Sequence, residues 1–232
     1  MRLHRFYIDT PLEHTREEIK DERLVHQWRN VFRYNVGSEV ILFDGSGNEY
    51  DSVIEKLNNR EAEVRLVAER AGIVPQQNVI LYQSLIKKDK MEWVAEKATE
   101  LGVSKIVPII SDRSEKKCVN MTRLRKIAVE ASEQCGRADV PVIESSKGLA
   151  DSIKDLEGEI IVFDPSGPSF SSNLTTNHLL PTAIFIGPEG GWTEKELNLF
   201  KQKGAQVFSL GSMTLRAETA AIVALTLSRL PD

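Results

Sequence analysis

From Val79 to the end of the chain, apolar runs of strand length alternate with segments whose apolar residues recur at helical spacing, and this alternation leaves few architectures open. Strands joined by helical crossovers pair in parallel, with the helices covering the faces of the sheet. The runs predict strands at 79–85, 105–110 (interrupted by Pro108), 141–143, 159–163, 183–186 and 206–210. They predict helices at 91–101, 122–135, about 148–156, 193–203, and after Gly211 to about Leu230. Gly102 and Gly136 stand just past two of these helices, where a left-handed residue closes the last turn. Residues 169–180 are polar and unpatterned, and read as a loop.

The first 72 residues follow a different pattern. Arg5 to Ile8 is a strand candidate. Residues 21–32 read as a helix, with Leu24, Val25, Trp28, Val31 and Phe32 near helical spacing. Residues 39–43 and 49–54 flank the turn cluster Asp44-Gly45-Ser46-Gly47-Asn48, a hairpin signal. After a second turn at Asn58-Asn59, Ala62, Val64, Leu66 and Ala68 alternate with charged residues. Short strands with close turns predict a compact β-barrel, and residues 71–78 read as a linker. The expected organisation is a small β domain over 1–72 and an α/β domain with a parallel sheet over 73–232.

Composition narrows the chemistry. With 41% hydrophobic and 28% charged residues, the chain has the balance of a globular protein. It has no apolar run near the ~20 residues of a membrane span, and Met1 to Phe6 lacks the apolar core of a signal peptide. Cys118 and Cys135 form no CxxC pair, so a reducing cytoplasm is expected, without a disulfide framework or a zinc site. His4, His14, His26 and His178 show no metal-ligand spacing, and no metal is expected. A net charge of −4 argues against a generally basic nucleic-acid binder. Charge is nonetheless concentrated locally: Arg113, Lys116, Lys117, Arg123, Arg125 and Lys126 face one acid, Glu115, and Lys87, Lys88 and Lys90 surround Asp89. Such groups are either a solvated face or a phosphate-binding one.

Three strand ends carry turn chemistry: Asp164-Pro165, the loop from Gly187 to Gly191, and Gly211-Ser212-Met213-Thr214. In a parallel sheet these loops gather at one edge, where ligands of open α/β sheets bind. The second loop runs into a capping box, Thr193 with Glu196 three places on. GxxxxGK[ST], GxGxxG and GxSxG are all absent, which removes the usual signals for nucleoside triphosphates, dinucleotides and serine hydrolysis. The loops suit a mostly apolar ligand with polar handles. The last helix is apolar almost all round beyond Thr219, so it should be buried. Arg216 stands at its start, where the helix dipole disfavours a cation by ~0.3–1 kcal/mol. Its partner is then an electron-rich ligand or a carboxylate, Glu218 or Glu189.

EKATELGV at 96–103, EQCGR at 133–137, IGPEGG at 186–191 and LG–LRAETA at 210–220, in the expected order along the chain, together resemble the bacterial 16S ribosomal RNA uracil-N3 methyltransferases, the RsmE family of the SPOUT superfamily. The N-terminal segment is similar too, in His26 to Arg33 and in Val36-Gly37 followed by Leu42-Phe43-Asp44-Gly45. The resemblance implies a PUA-like β-barrel that helps bind RNA, an α/β trefoil-knot domain, a homodimer, and S-adenosylmethionine held by the knot loops. It implies methylation of a decoding-region uridine in 16S rRNA on assembled 30S subunits. Carried over by position, the cofactor-binding residues are Phe163, Asp164 and Pro165; Ile186, Gly187, Pro188, Glu189, Gly190 and Gly191; and Leu210, Gly211, Leu215, Thr219 and Ala220. Arg216 is the expected donor to the charge that develops on the uracil, with Arg137 or Arg113 as second candidates. Glu133, Glu189 or Glu218 is the expected acceptor of the N3 proton. Arg29, Arg33, Lys87, Arg113, Lys116, Lys117, Arg123 and Arg137 are the expected RNA contacts. The chain departs from the family at Ser212-Met213-Thr214, where a basic residue is frequent, at Trp192, where phenylalanine or leucine is usual, and at Asp112. The alternatives are a SPOUT enzyme with another rRNA or tRNA target, and a non-catalytic RNA-binding assembly factor.

Overall fold

The computed structural model describes residues 3–170 and 181–228. It forms two units: Met1–Val74 with Ser132–Asp139, and Pro75–Ala131 with Val140–Asp232.

The first unit contains β1 (Arg5–Tyr7), β2 (Arg16–Ile19), α1 (Glu22–His26), β3 (Glu39–Phe43), β4 (Asn48–Leu57) and β5 (Ala62–Ala71). The strands form a sheet in the order β1-β3-β4-β5-β2. β1 joins β3 in parallel, and the other pairs are antiparallel. Register breaks at Asp51/Ser52 and Ile54/Lys56 bulge the β4–β5 ladder, which bends it. The core holds Phe6, Trp28, Val40, Leu42, Ile54 and Val64. β2 was not expected from the sequence: Arg-Glu-Glu-Ile offers one buried residue, Ile19, and so no alternation to read. Asp21 caps α1, as a helix starting there requires. Beyond His26 the coil widens into a π-turn over Gln27–Val31, with Phe32 N–H donating to the Gln27 carbonyl. The widening shifts the apolar stripe, so Trp28 is buried while Val31, expected on the packed face, is 66% exposed.

The second unit continues with β6 (Val79–Ser84), α2 (Lys88–Glu100), β7 (Lys105–Ile110), α3 (Met121–Cys135), β8 (Val142–Ile143), β9 (Lys147–Gly148), α4 (Leu149–Ile153), β10 (Glu159–Phe163), β11 (Thr182–Ile186), α5 (Glu194–Gln202), β12 (Gln206–Phe208) and α6 (Ala217–Ser228). Its sheet runs β12-β10-β11-β6-β7-β8, with β9 also on β7, and every pair is parallel. Leu81, Ile161, Ile184 and Ile186 pack on one face with Met91, Leu124, Ala221 and Leu225 from α2, α3 and α6. Tyr82, Ile160, Val162 and Phe185 pack on the other with Ile153 and Phe200 from α4 and α5. Both faces are thus buried, which is why the strands read as continuous apolar runs.

Pro108 does not interrupt β7. The Ser104 and Ile106 carbonyls bond towards β8, so Pro108, of the same parity, directs its missing donor to that side. There β8 has ended at Ile143 and β9 begins only at Lys147, so no ladder bond is lost.

Residues 71–78, expected as a linker, are structured as far as Val74. β5 runs to Ala71, and the Ile73 carbonyl accepts the Ala138 N–H at 2.8 Å. A Cβ on Gly72 would lie 2.3 Å from that of Ala138. Residues 132–139 complete the first unit in other ways too. Glu133 accepts the Tyr7 N–H at 2.9 Å, and the Arg5 guanidinium donates to the Arg137 carbonyl at 3.2 Å.

Candidate functional site

Phe163 pairs with Ile186 on one side and with Phe208 on the other, so β10, β11 and β12 end level. The loops that follow them wall a cavity of about 450 Å³, formed by residues 163–165, 186–192, 209–211 and 213–217 with Ala220. That volume is within the range of small-ligand sites.

The walls are fixed to one another. The Trp192 indole N–H donates to the Phe163 carbonyl at 3.1 Å, tying the second loop to the first. The same ring lies 3.2 Å from where a Gly187 side chain would begin, so only glycine fits there without a shift. Asp164 N–H donates to the Phe208 carbonyl, tying the first loop to the third strand. Gly211 has φ +119°, a left-handed conformation that permits the third loop its turn.

Behind the second loop, Thr193 and Glu196 form the expected capping box. Glu196 also accepts the Asp112 backbone N–H at 2.8 Å, and the Thr193 hydroxyl lies 3.1 Å from the Asp112 carboxylate. Arg113 donates to the Gly190 carbonyl at 2.8 Å and to the Trp192 carbonyl at 3.4 Å. Asp112, Arg113 and Trp192 thus hold the glycine loop. Their part in it was not legible from composition or spacing.

Every expected cofactor-binding residue lines this cavity except Thr219. Thr219 lines a second cavity of about 540 Å³, with Asp89, Lys90, Trp93, Arg216 and Glu218. Arg216 lines both cavities. Glu189 is an exposed member of the first. Glu218 pairs with Lys90 at 3.1 Å. Burial pushes the Glu218 carboxyl up, but its own backbone N–H, the Lys90 ammonium and the Arg216 charge outweigh this and hold it below the usual carboxylate range. Glu133 and Arg137 belong to the other unit. There Arg137 is 4% exposed and forms a bidentate pair with Asp139 at 2.8 and 2.6 Å.

Of the remaining expected RNA contacts, Arg29 bonds the Asn59 side chain and Arg123 lies 3.3 Å from Glu92. Arg33 is exposed with φ +57°, and Lys87, Lys116 and Lys117 are exposed. Among the described residues no group of His, Cys, Asp and Glu is arranged to hold a metal ion, and no helix is long and apolar enough to cross a membrane.

The cavity's composition fits an adenosyl sulfonium ligand: apolar Phe163, Ile186, Leu210 and Leu215 offer a face to a flat ring, and glycine-rich backbone offers polar groups without side-chain obstruction. Comparison with known proteins points the same way. Residues 74–229 match the model of an RNA methyltransferase domain, and residues 29–67 that of the RNA methyltransferase PUA domain. The chain is 33% identical to the ribosomal RNA small subunit methyltransferase E of Rickettsia conorii, over 99% of this chain and 96% of that one. A methyltransferase from Legionella pneumophila, solved with bound S-adenosylmethionine, superposes with a TM-score of 0.89 at 26% identity, covering 99% of this chain and 98% of its own. The ribosomal RNA small subunit methyltransferase E of Neisseria gonorrhoeae, also solved with S-adenosylmethionine, gives 0.86 at 27% identity, with 98% and 97% covered.

Proposed function

The chain belongs to the ribosomal RNA small subunit methyltransferase E family, and from that premise we propose that it transfers a methyl group from S-adenosylmethionine to N3 of a uridine in the decoding region of 16S rRNA. The observation that carries this reading is the three-loop cavity at the level ends of β10, β11 and β12, in a chain whose solved relatives hold that cofactor. The α/β unit has the fold class of the SPOUT methyltransferases, and it follows a PUA domain.

S-adenosylmethionine supplies an electrophilic methyl on a sulfonium centre. The protein's part is to position the reacting atoms and to manage one proton. Backbone groups of Ile186, Gly187, Leu210 and Leu215 hold the ligand's adenine and amino-acid ends. Holding the two reactants in register removes much of the entropic barrier. Loss of the N3 proton leaves negative charge spread over N3, O2 and O4. Arg216 donates to that charge from the cavity wall, stabilising it in the transition state. Glu189 on the same wall, or Glu218 on the cavity beside it that Arg216 also lines, accepts the proton. Arg33, Lys87, Lys116 and Lys117 contact phosphates, which makes binding salt-dependent. The enzyme works as a cytoplasmic homodimer on assembled 30S subunits.

The test is methyl transfer from labelled S-adenosylmethionine to 30S subunits lacking the modification, against free 16S rRNA, with the product mapped by mass. Labelled N3-methyluridine formed on subunits in preference to free RNA is expected. A product on tRNA, on a ribose hydroxyl, or no product at all would overturn the assignment.

A further inference from the structure

α2 is a helix whose buried face holds Met91, Val94, Ala95 and Ala98, yet its middle turn also displays Trp93, 40% exposed. This is the only tryptophan of the three that is not buried; Trp28 and Trp192 are at 0% and 5%. Trp93 forms part of the wall of the second cavity, between α2 and the first turn of α6. The other groups on that wall are hydrogen-bonding: Lys90 and Arg216 donate, Asp89 and Glu218 accept, and the Thr219 hydroxyl does either. Arg216 is the residue this wall shares with the cofactor cavity, so an occupant of the second cavity lies beside an occupant of the first.

A uracil ring needs a flat apolar face, donors for O2 and O4, and an acceptor for N3–H. We infer that the second cavity receives the target base, with the Trp93 indole as its stacking face and Arg216, which lines both cavities, at its side, leaving N3 open to the cofactor's methyl. The inference rests on the methyltransferase reading given above. An unstacked base gains a stacking partner on an aromatic side chain in many RNA complexes, and that compensates for its removal from the RNA stack. The Lys90–Glu218 pair fixes both charges on the wall of the site without a ligand, so this part of the site is organised before RNA arrives.

Trp93→Ala and Trp93→Phe are assayed for methyl transfer to 30S subunits, alongside calorimetric binding of S-adenosylmethionine and mass by light scattering. Trp93→Ala should lower kcat/KM for subunits by roughly 5- to 100-fold, the range that loss of one stacked base covers. Trp93→Phe should recover most of it, and cofactor affinity and oligomeric mass should not change. Acrylamide quenching adds a readout independent of turnover: a uridine-containing 16S helix fragment should protect the exposed tryptophan in the wild type. Full activity in Trp93→Ala, no rescue by phenylalanine, or a loss accompanied by a change of mass would overturn the inference. A wild-type protein that methylates no small subunit would instead sink the functional reading itself.

Discussion

The Arg113 guanidinium donates to the Gly190 carbonyl at 2.8 Å, while its own Cβ lies 3.2 Å from where a Gly190 side chain would begin. One side chain therefore both holds the glycine loop and limits what can stand in it. Arg113→Ala should weaken S-adenosylmethionine binding in the absence of RNA by about 5-fold, the loss of one partly exposed charge-assisted bond. Calorimetry on the RNA-free protein checks this. Unchanged cofactor affinity would mean that Arg113 serves RNA alone.

Trp192 holds the same loop from the other side. Trp192→Phe keeps an aromatic ring, though a smaller one, beside Phe200 but removes the N–H that satisfies the Phe163 carbonyl. A buried carbonyl left without its donor costs about 1–2 kcal/mol, which lowers the Tm of a chain of this size by roughly 2–8 °C. Scanning calorimetry reads the shift, and an unaltered Tm would show the bond to be unimportant.

Arg216→Ala should reduce kcat for methyl transfer by about 10²-fold, the usual effect of removing one donor to a developing oxyanion. Its effect on cofactor binding should be slight. A kcat close to that of the wild type would remove Arg216 from the chemistry.

Gly72→Ala forces a Cβ to within 2.3 Å of the Ala138 Cβ and 2.8 Å of the Glu49 Cγ, and should destabilise the fold by about 1–3 kcal/mol. Combining it with Ala138→Gly removes the nearer clash, so the double variant should regain part of the loss in urea melts. Strict additivity of the two changes would contradict the contact.

The Glu218 carboxyl is held below the usual carboxylate range, so its contribution to stability is present above the unfolded value, about 4.3. It is lost as pH falls through the lower folded value. Glu218→Gln should therefore be less stable than the wild type at pH 7, and the gap should close under acid. A gap that persists there would assign the loss to packing instead of charge.

The sequence made the parallel sheet legible because its central strands are buried on both faces, so Val79 to Ser84 or Glu159 to Phe163 shows a run that nothing else explains. The glycine loop and the capping box at Thr193 were legible because their residue types are tied to backbone geometry. β2 was hidden by its charge, and the π-turn by a spacing that an ordinary helix accommodates as well. The loop's supports were hidden for another reason. Arg113 and Gly190 are 77 positions apart, and the acceptor is a backbone carbonyl, which no residue type announces.

The return of Ser132–Asp139 to the first unit has an evolutionary consequence. A gene segment encoding the first 74 residues is not a portable cassette, because the piece it would carry away lacks the strand partner of Ile73 and the acceptor for Tyr7. Exchange of this PUA module between enzymes requires three recombination joints, after Val74, before Ser132 and after Asp139, the second of them inside the helix α3. Its diversification is therefore expected by point substitution within the intact chain, with Gly72 and Ala138 changing together or not at all.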